Sequence, residues 1–155
     1  MINDYEIAKT YELFDDGLYN EALESFEKIV SELPNCEKHY FYLGMCYEKL
    51  DYEEKAVFYY KKGLELCDDV EYISDYHLNI GKNLIYLSRL NEALYHFEKA
   101  EAFEPNREFA VYNKAVVYIC QKKYSNALMM LQTIKKLDKQ KIEKLVNYCK
   151  YKLAI

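Results

Sequence analysis

A chain of 155 residues that is 51% hydrophobic and carries a net charge of -5 is neither a disordered segment nor a general nucleic-acid binder. It has enough apolar side chain to bury and too little positive charge to hold phosphates. Eighteen tyrosines, four glycines, two prolines and no tryptophan leave few breakers, which favours helices joined by short loops. The five cysteines, Cys36, Cys46, Cys67, Cys120 and Cys149, form no C-x-x-C pair and read as reduced thiols of a cytoplasmic compartment. The chain opens without a basic-then-apolar leader, and no window approaches about 18 uncharged apolar residues, so neither a secretion signal nor a membrane span is expected.

The alanines Ala22, Ala56, Ala93 and Ala127 are separated by 34, 37 and 34 residues, a 34-residue period with one three-residue insertion. Recurrence at fixed spacing marks stacked structural repeats rather than a catalytic centre. The stretch from Tyr40 to Tyr60 states the pattern most fully, with Tyr40, Leu43, Gly44, Tyr47, Ala56 and Tyr60 in order.

This period and these side chains resemble the tetratricopeptide repeat family, whose pattern places a large residue at repeat position 4, Leu-Gly at 7 and 8, Tyr at 11, Ala at 20, an aromatic at 24, a small residue at 27 and Pro at 32. The resemblance covers nearly the whole chain. It implies an all-α protein, an α-solenoid of antiparallel helix pairs wound as a right-handed superhelix, in a single domain of four repeats.

The first repeat, 3–36, shows its second half best through Gly17, Tyr19, Ala22, Phe26 and Pro34. Glu6, Lys9 and Thr10 depart from the pattern in its first half, as expected of a solvated opening cap. The second, 37–70, holds the Tyr40–Tyr60 stretch and Gly63, with Asp68 in place of the terminal proline. Val70 to Ile73 carry the insertion, which either lengthens the preceding helix or enlarges the loop. The third, 74–107, has His77, Ile80, Gly81, Leu84, Ala93, Phe97, Ala100 and Pro105. The fourth, 108–141, keeps Ala115, Tyr118, Ala127, Leu131 and Ile134 but has Lys114 at position 7. In 142–155, Ile142, Leu145, Val146, Cys149 and Leu153 recur every three or four residues, one face of an amphipathic helix that reads as a closing cap.

In such repeats Gly44 is expected to face Ala56, and Gly81 to face Ala93, so that two backbones approach closely. No glycine remains for a phosphate-binding loop. His39, His77 and His96 fall at positions 3, 4 and 23, which point in different directions, and are read as packed or surface histidines. Cys46 is read as core. The acidic pairs Asp15-Asp16, Glu53-Glu54 and Asp68-Asp69 sit at turns as solvated or capping charges. No enzyme, metal or cofactor is implied.

The resemblance implies that positions 2, 5, 9, 12 and 13 of each first helix make the inward, ligand-facing wall. The candidate groove is therefore Ile7, Tyr11 and Phe14 from the first repeat, Phe41 and Met45 from the second, Leu78, Lys82, Ile85 and Tyr86 from the third, and Phe109, Tyr112 and Val116 from the fourth. A wall this apolar implies binding of an apolar peptide or helix segment of another protein, in an adaptor-like or chaperone-like role, with neither nucleic acid nor membrane as partner. The Lys and Asn clamp with which some members hold acidic chaperone tails is absent, since Ile7, Tyr11, Tyr42, Asp75 and Asn79 stand there. Two alternatives stay open. The C-terminal helix covers the fourth-repeat wall, or the groove is the interface of a self-associating scaffold.

Charge is divided unevenly. Residues 1–120 carry 12 basic and 24 acidic side chains, whereas 121–155 carry nine and two. The C-terminal lysines read as a solvated face or as a means of steering an acidic partner or of head-to-tail association.

Overall fold

The computed structural model describes residues 1–103 and 107–155. Pro105, expected to end the third repeat, lies outside the described residues. Among those described there are nine α-helices: α1 Asp4–Asp15, α2 Tyr19–Glu32, α3 Glu37–Lys49, α4 Glu53–Leu66, α5 Val70–Tyr86, α6 Leu90–Glu101, α7 Arg107–Cys120, α8 Tyr124–Leu131 and α9 Lys139–Ala154. They divide into two compact units, Met1–Asp69 and Val70–Ile155. In the first, α1 packs on α2, α2 on α3 and α3 on α4. In the second, each helix packs on the next, and α5 also reaches α7.

The helix pairs are set by a backbone device that recurs with the repeat. After α1, α3, α5 and α7 the chain turns in three residues, and one of them is left-handed: Gly17 (φ 78°), Asp51 (59°), Ser88 (57°) and Lys122 (59°). The following N–H donates back to the helix, from Leu18 to the Leu13 carbonyl at 2.9 Å, Tyr52 to Tyr47 at 2.9 Å, Arg89 to Leu84 at 2.9 Å and Lys123 to Tyr118 at 2.8 Å. The left-handed residue's own N–H donates to the carbonyl three back, giving the Schellman motif at each turn. Side chains cover the bond as the motif favours: the Tyr47 and Tyr52 rings lie 6.2 Å apart, and Lys123 Nζ sits 5.9 Å from the Tyr118 ring.

Ala22, Ala56, Ala93 and Ala127 are fully buried, and so are Phe26, Tyr60 and Phe97 at position 24. At the two glycines the nearest neighbour is a ring. A Cβ at Gly44 would meet the Tyr60 ring at 2.8 Å, and one at Gly81 would meet the Phe97 ring at 2.5 Å. What presses on each bare backbone is the flat ring at position 24, which needs more room than a neighbouring alanine.

Several further expectations are corrected. Thr10 is buried, its hydroxyl donating to the Glu6 carbonyl at 2.8 Å, and so is not part of a solvated cap, while Lys9 is exposed and Glu6 partly so. Glu6 and Asn3 form a reciprocal capping box, each side chain accepting the other's backbone N–H at 3.0 Å. The insertion at 70–73 enters neither the preceding helix nor a loop but forms the first turn of α5, which runs 17 residues. Lys114 is buried against α6, its ammonium 2.8 Å from a Glu101 carboxylate oxygen. α9 opens at Lys139, ahead of Ile142, because the Asp138 side chain accepts the N–H groups of Gln140 and Lys141.

Candidate functional site

The first unit knits its candidate groove residues into a cluster of rings. Tyr42 of α3 is the hub: it meets Tyr11 edge-on at 4.7 Å, Phe14 at 5.1 Å, stacks on Phe26 at 5.8 Å and touches Phe41 at 6.3 Å. Phe14 is buried under Tyr19 and Tyr42 and belongs to the core rather than to an open wall. Ile7, Tyr11, Phe41 and Met45 are half-buried. Burial, with smaller contributions from Cys36, Tyr42 and Glu37, raises the Tyr11 phenol well above its ordinary range, so it is a neutral donor at any physiological pH. The Lys38 ammonium caps the same ring at 5.0 Å. Tyr42 was not among the candidates because it stands at repeat position 6, off the wall positions. Its signal was the density of aromatics around it.

The second unit is more open. Leu78, Lys82 and Ile85 recur at helical spacing on α5, and Phe109, Tyr112 and Val116 on α7, the helix that α5 touches. Leu78, Lys82, Ile85, Tyr112 and Val116 are half-buried, while Tyr86 is 76% and Phe109 48% exposed. Phe109 also borders a depression of about 670 Å³ lined by Val111, Ile134 and Leu137 and by the charged Glu101, Arg107, Glu108, Lys135 and Lys136. The loop on its far side is held by Glu108, whose carboxylate accepts the Lys135 and Lys136 N–H groups at 3.0 and 2.7 Å. Desolvation works against that charge, but the backbone donors outweigh it and keep the carboxyl below its ordinary range. α9 packs on α8, and its Cys149 shares a cluster with Ala115, Ala127 and Leu131. Tyr112 leans on that cluster, whereas Phe109 and Val116 stand outside it.

Two of the three histidines depart from expectation. His77 and His96 meet, Nδ1 to Nδ1, at 2.9 Å, because α5 and α6 pack side by side and bring positions 4 and 23 together. Burial, then the Lys99 charge, lowers the His77 pKa. His39 is buried in α3, and its pKa is also lowered by burial. Cys46 is fully buried, which pushes its thiol up to about 12 and leaves it unreactive core. Among the described residues no three His, Cys, Asp or Glu side chains are grouped to hold a metal, and no helix is long and apolar enough to cross a membrane.

Helix pairs repeating at 34 to 37 residues, each closed by the same left-handed turn, define a helical-repeat scaffold with apolar faces. The tetratricopeptide repeat family matches residues 40–69, and the chain as a whole has the tetratricopeptide-repeat fold. MamA (41 to the end) from Desulfovibrio magneticus RS-1 superposes with a TM-score of 0.87 at 17% identity, over 99% of this chain and 88% of that one. YrrB, described as a TPR protein with an unusual peptide-binding site, gives 0.77 at 25% identity over 94% and 73%. PilW, a type IV pilus biogenesis factor, gives 0.70 at 23% identity over 84% and 61%. A search of curated proteins finds no match to the sequence.

Proposed function

We propose that the protein is a non-catalytic interaction module that binds an apolar peptide or helix segment of a partner protein along α5 and α7, with Tyr86 and Phe109 as aromatic anchors. The observation that carries this reading is the pair of apolar stripes on adjacent helices, half-open to water and ending in two exposed rings. Exposed aromatics lose little entropy on docking and remove much surface from water, which is how such anchors come to dominate affinity. The half-buried residues Ile7, Tyr11, Phe41 and Met45 form a second, tighter surface on the first unit. A cytoplasmic setting suits the five thiols.

Selection of displayed random peptides on the purified chain tests the reading. Apolar, aromatic-containing sequences should be enriched, and Tyr86→Glu with Phe109→Glu should weaken the best of them about tenfold or more, equivalent to about 1.4 kcal/mol. No enrichment, or variants that bind as the wild type does, overturns it.

A further inference from the structure

A different pair of surfaces carries a second interaction. On α1, Tyr5, Ala8, Glu12 and Asp15 are all exposed, Tyr5 at 76%, and their spacing of three, four and three residues keeps them on one stripe. On α9, read backwards, Tyr151, Tyr148, Lys144 and Lys141 have the same spacing and are likewise exposed, the tyrosines at 63% and 42%. Both stripes are about 15 Å long at 1.5 Å per residue. Laid antiparallel, they match position by position. Tyr5 meets Tyr151, Ala8 leaves room for Tyr148, Glu12 meets Lys144 and Asp15 meets Lys141.

We infer that α1 of one copy docks antiparallel on α9 of a second copy through these four pairs, so that the protein self-associates by a heterologous contact. Glu143, the single opposite charge on α9, lies off its stripe, whereas Lys9, that of α1, flanks its stripe between Tyr5 and Glu12. Antiparallel packing also sets the two helix dipoles against each other favourably. The aromatic ends supply apolar contact, and the charged ends fix direction and register. One stripe is acidic and the other basic, so neither pairs with its own kind and the contact is asymmetric. Four pairs over about 15 Å make less than a standard interface, so association is weak and its charged half is screened by salt.

Analytical ultracentrifugation of the 155-residue chain tests this. Average mass should rise with concentration up to about 500 µM in low salt and fall back toward the monomer in about 0.5 M salt. Glu12→Lys with Asp15→Lys gives a chain basic at both stripes, and Lys141→Glu with Lys144→Glu gives one acidic at both. Each should stay monomeric alone, and an equimolar mixture should regain the wild-type association. All four substituted positions are exposed, and circular dichroism confirms that each variant folds. Tyr86 and Phe109 are untouched, so retained peptide binding separates this contact from the α5–α7 surface. A wild type that is monomeric throughout overturns the inference. So does either variant that associates alone, or a mixture that stays monomeric.

Discussion

In α5 the Phe97 ring presses on the bare backbone of Gly81, whereas in α7 the same register holds Ala115, and the position-24 residue is Leu131. The α3–α4 pair follows the first arrangement, with Tyr60 against Gly44. Both solutions fill a fully buried joint, one with a ring and no methyl, the other with a branched aliphatic and a methyl. These three pairs therefore keep the summed volume of two positions rather than the identity of either, whereas the first repeat, with Thr10 and Phe26 both buried at the same positions, carries more.

The largest effect is expected where that sum is broken outright. Phe97→Ala should cost about 3–5 kcal/mol in denaturant unfolding. Gly81→Leu, or Gly44→Leu in the other ring-bearing pair, should cost about 1–3 kcal/mol by overpacking. Gly81→Ala combined with Phe97→Leu converts α5–α6 to the α7–α8 solution and should cost less than the two changes summed, with a coupling of about 0.5–3 kcal/mol. Strict additivity would refute the shared-volume reading.

Acidification separates the two units more gently. The His77–His96 bond needs one proton between two facing nitrogens, and a second proton breaks it. Because the folded pKa of His77 is lowered, the unfolded chain takes the proton first. Stability from this site is present above about pH 6.5 and is lost as pH falls below it. The urea midpoint should drop between pH 7.5 and 5.5, and His77→Gln should reduce the drop without abolishing it, since the pKa of His39 in the first unit is lowered too. Equal wild-type midpoints at both pH values would exclude it.

The smallest effect concerns the turns. Gly17 holds its left-handed conformation without a steric penalty, but Asp51, Ser88 and Lys122 do not. Ser88→Gly and Lys122→Gly should each raise stability by up to about 1 kcal/mol, and Gly17→Ala should lower it by about as much. Melting temperatures that move the opposite way would show that side-chain cover, not backbone strain, governs these turns.

The helix order was legible in the sequence because each ruler alanine is fully buried at the same place in its repeat. What escaped was any fact requiring two helices at once. Phe14 has the spacing of an open-wall residue, yet Tyr19 from α2 and Tyr42 from α3 close over it. His77 and His96 stand 19 residues apart and meet only because α5 lies on α6. Thr10 looked like surface, but position 8 is buried whatever residue fills it. The insertion joined α5 because Val70 to Ile73 continue that helix without a breaker. Exposed Tyr86 and Phe109 were legible as candidates, although periodicity alone does not distinguish them from buried Phe14.

The four left-handed turns also bear on how freely such a chain can drift. Each joint is written in main-chain donors and carbonyls, and Gly, Asp, Ser and Lys all sit at its pivot. A connection specified by the peptide bond leaves its side chains free to change. Substitutions can accumulate there without altering the angle between partners, and a chain only 17% identical to another can still be superposed on it over 99% of its length.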